Sequence, residues 1–244
     1  MPGMRDEKGE GFGGWRSHLS LGLVIIAGFG LSALLRQSPP VQRLSSSPVV
    51  EAVLTDRDNP AVGATVPDIT VMVFTDYQCP ICRATDRALE AVRARDPRLR
   101  IVYKDWPIFG ESSKYAARVA LAADRQGRYL PVHVALMNTH LPLDAASVRQ
   151  AAIASGVDWP RLEADLANEK TQLDGRLARN AAQAWSLGVE GTPAYIVGHA
   201  LFRGGMSERA LQKAISAARD RAAPSVGTSD DEPHSIQGHS SPPP

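Results

Sequence analysis

Residues 69–82 read Ile69-Thr70-Val71-Met72-Val73-Phe74-Thr75-Asp76-Tyr77-Gln78-Cys79-Pro80-Ile81-Cys82. The first seven are apolar or β-branched and of strand length, the pattern of a strand buried on both faces. They run almost directly into a pair of cysteines separated by two residues. Beyond them Ile81, Ala84, Ala88, Leu89 and Val92 recur at helical spacing until Pro97, which predicts a helix beginning at or beside the cysteines. A strand, Cys-x-x-Cys and a helix in immediate succession therefore form the unit from which the rest of the chain is read.

Leu99 to Tyr103 predicts a second strand after that helix. From about residue 112 to 187 the chain turns alanine-rich and helical, broken at Gly127, Pro142 and Gly156, with Asp144 and Asp158 placed as N-caps. This stretch reads as a helical subdomain inserted into an α/β domain. Ala194 to Val197 and Leu201 to Arg203 then predict two short strands joined by a turn at Gly198-His199. A last helix follows Ser207 as its cap, its apolar stripe made by Ala210, Leu211, Ala214, Ile215 and Ala218.

The two cysteines are the only ones in 244 residues, so they cannot pin distant parts of the fold together. At a helix start, backbone N–H groups without intrahelical partners point outward and favour an anion. Such a position lowers a cysteine from a pKa of about 8.5 into a range of roughly 3.5 to 7.5. Cys79 is accordingly expected to be the exposed nucleophile, and Cys82, one turn further in, the resolving thiol. Pro80 suits the first helical turn, which needs no N–H there, and stiffens the active-site loop. Ile81 brings neither charge nor hydrogen bond, leaving thiolate stabilisation to the backbone and neighbours. The competing reading is half of a zinc or Cu(I) thiolate site, which for zinc needs two further ligands. No second Cys-x-x-Cys follows, and His133 and His140, seven apart, read as satisfied or solvated side chains. No metal or organic cofactor is expected; the redox-active group is the Cys79–Cys82 disulfide itself.

Leu19 to Leu35 carries no charge and is flanked by Arg5, Lys8, Arg16 and Arg36. As a helix it would rise about 25 Å, slightly less than a hydrocarbon core of about 30 Å. A membrane anchor and a signal peptide both fit; the poor A-x-A match at Gly30-Leu31-Ser32 favours an uncleaved anchor. Residues 1–18 then form a cytoplasmic segment, and the rest of the chain lies on the extracytoplasmic face. Residues 36–49, rich in proline and serine, read as a linker, the folded domain as 50–221, and the tail 222–244 as disordered, His234 and His239 with it. Lysine plus arginine (27) nearly balance aspartate plus glutamate (26), so no general field recruits nucleic acid.

Between about Val50 and Arg219 the chain resembles the DsbA-like branch of the thioredoxin superfamily, exported bacterial enzymes that handle protein disulfides. The resemblance is carried by Asp58-Asn59-Pro60 with Gly63, by Phe74 to Cys82, by Lys104-Asp105-Trp106-Pro107-Ile108, and by Leu187 to Tyr195. It implies a thioredoxin-like fold with an inserted helical subdomain. It also implies that Pro193 is the family's cis-proline facing the cysteine loop, with the Thr192 backbone free to pair with an extended substrate; on sequence alone the lesser alternative for Gly191-Thr192-Pro193 is an ordinary turn. Asp76 fits the family pattern as a residue that shapes the strand-to-helix bend, without a proton-transfer role. Tyr77 and Trp106 are candidates for a peptide groove or, more simply, for the core. Ile81 stands where the best-known oxidase has a histidine, which predicts a milder oxidant. Thr192 is shared by oxidase-like and isomerase-like members, and the short stretch before the domain leaves no room for a dimerisation domain. The expected activity is an oxidase acting on exported cysteine-containing proteins, monomeric and reoxidised by a membrane partner, with a reductase or isomerase as the alternative.

Overall fold

The computed structural model describes residues 41–140 and 142–222. The apolar run 19–35, the segment before it and the tail beyond Ala222 lie outside these residues, and so do the expectations placed on them. Among the described residues no helix is long and apolar enough to cross a membrane.

Ile69–Thr75 (β3) and Leu99–Asp105 (β4) form a parallel pair at the centre of a six-stranded sheet. Ala194–Val197 (β5) runs antiparallel to β3, and Ala200–Arg203 (β6) continues the antiparallel ladder outward. Pro80–Arg95 (α2) crosses between β3 and β4, and Glu208–Ala222 (α8) packs beside it. Both faces of the sheet are covered, which explains the unbroken apolar run of β3. Val71 and Val73 enter one core with Leu89 of α2 and Ile215 of α8, whereas Met72 and Phe74 enter a second with Val53 and Ala184.

The chain between β4 and β5 is helical: Glu111–Ala123 (α3), Tyr129–Asn138 (α4), Ala145–Ala154 (α5), Trp159–Asn168 (α6) and Lys170–Ser186 (α7). Asp144 and Asp158 cap α5 and α6, accepting from Ser147 N at 2.7 Å and Arg161 N at 3.2 Å. The insert lies over the first core, where Val119, Val132, Leu136 and Leu162 are buried. α7 reaches around to the second, through Ala184 and the following Leu187.

The stretch before residue 50 departs from the linker expectation. Val41–Arg43 (β1) pairs antiparallel with β6 at the sheet edge, and Leu44 is buried beyond it. An edge strand needs ladder hydrogen bonds and not apolar side chains, and the exposed Val-Gln-Arg triplet is held in that way, with Arg203 donating to Gln42 at 2.6 Å. Ser47 and Pro48, read as spacer residues, start Pro48–Leu54 (α1): Ser47 accepts from Val50 N at 3.2 Å and the proline takes the first turn. Residues 41–49 are therefore part of the folded domain. Ala61–Gly63 (β2) is a second strand without a sequence expectation; it pairs with β4. Gly63, at φ 103°, is required there, since a Cβ would lie 2.3 Å from the Leu99 carbonyl oxygen.

Candidate active site

The cysteines sit where β3 hands over to α2, at the carboxyl end of the parallel pair. Asp76 makes the bend. Its buried carboxylate accepts from the N–H groups of Gln78 at 2.7 Å, Ile108 at 2.6 Å and Phe109 at 3.1 Å, and from the Ser113 hydroxyl. One side chain thus joins the loop after β3, the loop after β4 and α3. Gln78 adds to the same joint, donating to the Phe109 carbonyl and accepting from Leu143 N–H.

Cys79 is the N-cap of α2 and Pro80 its first residue. The cysteine sulfur takes the role usually played by a serine or aspartate oxygen, accepting from Cys82 N–H at 3.3 Å. When protonated, its thiol also donates to the Thr192 carbonyl at 3.2 Å. The expectation of an exposed nucleophile is corrected here: Cys79 is only 2% exposed, because the sulfur folds back over the helix end and under residue 192. Ile81, by contrast, projects into solvent, and Ile108 and Phe109 add exposed apolar surface from the loop that Asp76 holds. Both thiols are free.

The two sulfurs differ in acidity. The Cys79 thiol is lowered to about 6, chiefly by hydrogen bonding from Cys82, with further help from the Thr192 side chain and the N–H groups of Cys82 and Ile81, against the opposing effect of burial. Burial pushes the Cys82 thiol far up, and the neighbouring Cys79 sulfur reinforces the shift. Near neutral pH the outer sulfur is an anion and the inner one a thiol.

The Thr192–Pro193 peptide bond is cis. The Thr192 hydroxyl is buried without a partner of ordinary hydrogen-bond geometry, close enough to the sulfurs to favour their ionised forms. The Pro193 carbonyl accepts from Gly204 N–H at 2.9 Å, which ties this loop to the turn after β6. Gly205 in that turn lies against α2: a Cβ there would stand 2.7 Å from the Thr85 methyl and 2.9 Å from Ile81 Cγ2. Thr85 is itself fixed, bonded to the Ile81 carbonyl at 2.8 Å and to Tyr195 OH at 3.1 Å.

The structure brings Cys79, Pro80, Cys82, Thr192 and Pro193 together, with Ile81 at the rim. Tyr77 and Trp106 are core residues and do not line a groove. Three polar features lie beneath the site, the first of them a histidine read from the sequence as a satisfied or solvated side chain. His133 is fully buried, with Nδ1 3.0 Å from Tyr77 OH and Nε2 3.0 Å from Asp86 Oδ1, so both ring nitrogens are engaged; His140 is exposed. Tyr129 OH donates to Asp105 at 3.1 Å, and burial pushes the Asp105 carboxyl up to about 7. On the opposite face of β4, Lys104 is fully buried against Asp56 at 2.9 Å and Gln183 at 2.7 Å. A charged pair ending an apolar strand, Lys104-Asp105, is the one sequence signal that pointed to such partners. Among the described residues no group of three His, Cys, Asp or Glu gathers in a metal-binding arrangement.

Residues 70–216 match the DSBA-like thioredoxin domain. The chain belongs to that family. The DSBA-like domain is similar to a thioredoxin-like oxidoreductase from Silicibacter pomeroyi DSS-3, with 36% identity, a TM-score of 0.66, and coverage of 70% of this chain and 97% of that one. It is also similar to a periplasmic thioredoxin-like protein from Salmonella enterica serovar Typhimurium, with 30% identity, a TM-score of 0.63, and coverage of 72% and 99%. Among curated proteins it is 25% identical over 154 residues to a Na(+)/H(+) antiporter NhaA 1 of Mycolicibacterium gilvum (strain PYR-GCK), covering 62% of this chain. The DSBA-like chain spans about a quarter of the length of the curated relatives it matches.

Proposed function

We propose that this DSBA-like chain is a protein thiol–disulfide oxidoreductase that works as an oxidase on the extracytoplasmic face of the membrane. The observation that carries the reading is the divided acidity of the pair, Cys79 lowered to about 6 and Cys82 pushed far up. In the oxidised form a substrate thiolate attacks Cys79 Sγ, forming a mixed disulfide and releasing the Cys82 sulfur, which takes up a proton. A second substrate thiolate then attacks the substrate sulfur, and Cys79 leaves as a thiolate. The substrate loses two electrons as its disulfide forms, and Cys79/Cys82 gain them.

A thiol with pKa about 6 is about ten-to-one ionised at pH 7. That stabilises the reduced form and drives the disulfide toward substrates. Thr192 and Pro193, beside Cys79, present the backbone edge on which an extended substrate segment would lie. Reoxidation falls to a membrane partner, and the apolar run 19–35 would hold the monomeric enzyme near it; the periplasmic relative from Salmonella supports the same compartment.

The test is the reduction potential of Cys79/Cys82 in a glutathione buffer, together with oxidative refolding of a reduced multi-cysteine protein. A potential above about −230 mV with catalysed refolding is expected; a value near thioredoxin's of about −270 mV, with catalysed reduction instead, would turn the reading to a reductase.

A further inference from the structure

On α2, Arg83 directly follows the inner cysteine and Arg87 lies one turn further along the same face. Both line a cleft of about 470 Å³, open to solvent, whose opposite wall is the end of α4 with Asn138, Thr139 and His140. Arg83 is fixed by backbone carbonyls: those of Tyr77 at 2.9 Å, Leu136 at 2.7 Å, and Thr139. Arg87 donates through Nε and Nη2 to a single oxygen, Asn138 Oδ1, at 3.3 and 2.9 Å.

Neither guanidinium meets a carboxylate within ion-pair distance among the described residues. The carboxylates of α2 are committed elsewhere, Asp86 to His133 and Glu90 to Arg93 and Tyr103. α4 contributes no acidic residue. Arginine does not lose its proton in proteins, so the cleft holds two positive charges that no carboxylate among the described residues compensates. Arg83 Nε and Arg87 Nη1 have no protein acceptor among the described residues. Arg83 also grips the loop that leads into Cys79, so the charge is held in register with the reacting sulfur.

Resting on the thiol–disulfide reading above, we propose that this cleft is a subsite for an acidic side chain of the partner polypeptide, an Asp or Glu near the reacting cysteine. The reach follows from the geometry of the elements. Measured along the axis of α2, the backbone positions of Arg83 and Arg87 lie about 6 and 12 Å beyond that of Cys79 at about 1.5 Å per residue. An extended peptide advances about 3.3 Å per residue, so the carboxylate belongs about two to four residues from the partner's cysteine. A charge in this place raises the encounter rate with acidic segments and disfavours basic ones.

The test uses the full chain in its oxidised form and three synthetic peptides, each with one reduced cysteine and, three residues away, Glu, Gln or Lys. The readout is the rate of mixed-disulfide formation at low salt. The order Glu, Gln, Lys is expected, with about two- to five-fold between successive peptides, and it should collapse at high salt. In Arg87→Glu, chosen because Arg83 also supports the backbone, the cleft falls from two positive charges to a net charge of zero, and the three rates should draw together to within about two-fold. Equal rates for the three peptides with the unaltered chain, or an unchanged spread in Arg87→Glu, would overturn the subsite alone. No reaction with any of the peptides would overturn the thiol–disulfide reading and the subsite with it.

Discussion

Lowering the pH should remove stability from the reduced chain that the oxidised chain does not possess. In the folded reduced state the Cys79 thiol is lowered from 9.0 to about 6, whereas the unfolded chain titrates it near its ordinary value. Between those two values the unfolded state holds a proton that the folded state has lost, so stability rises with pH by about 1.4 kcal/mol per unit. The contribution is fully present above the unfolded value and vanishes below about pH 6, a swing of about 4 kcal/mol. Cys82 acts in the opposite sense and only at the alkaline end. Its folded-state value lies far above the ordinary one, so above about pH 9 the unfolded thiol ionises first and stability falls. With the disulfide closed neither sulfur titrates. The assay is urea unfolding of the purified chain with and without reductant at pH 6, 7 and 8.5. The reduced-minus-oxidised difference should grow by about 3 kcal/mol across that range. A difference that stays flat, or shrinks as the pH rises to 8.5, would refute the charge assignment at Cys79.

Two packing predictions follow from the site's surroundings. Gly205→Ala forces a methyl against Thr85 and Ile81, neither of which can turn away freely; a loss of about 1 to 3 kcal/mol is expected in thermal or urea unfolding, and a loss within 0.5 kcal/mol would show that the turn yields. Lys104→Met takes the only ammonium from the Asp56 carboxylate, leaving it the Asp58 N–H, Asn59 and Gln183 as donors, and should cost about 3 to 5 kcal/mol, much of which Lys104→Met with Asp56→Leu should restore; a double variant no better than the single one would contradict the pairing.

The central unit was legible because its elements are governed by local pattern. An apolar run fit for two-sided burial, a helix phased by Leu89 and Val92, and caps at Asp144, Asp158 and Ser207 all answer to neighbours a few residues away. β1 was not legible, since Val41-Gln42-Arg43 is held by backbone pairing with a strand some 160 residues later, and no side-chain pattern announces that. The burial of Cys79 was missed for a similar reason: the covering Thr192 comes from the other end of the domain. The His133, Asp86 and Tyr77 chain joins three elements across the insert interface, and each residue alone reads as an ordinary surface or core position. Asp76 could be placed at the bend from its position, but its three donors from two other segments could not.

The account stands on Cys79 as the sulfur that meets the partner and Cys82 as the one that resolves. Trapping tests this most directly: Cys82→Ser and Cys79→Ser forms, each with one free thiol, are incubated with a cysteine protein whose thiol is held as a mixed disulfide with a small thiol that leaves on attack, and the adducts are mapped by mass spectrometry. Cys82→Ser should accumulate a stable adduct through Cys79, and Cys79→Ser should accumulate none. Adducts held through Cys82, with Cys79→Ser the better trap, would contradict it.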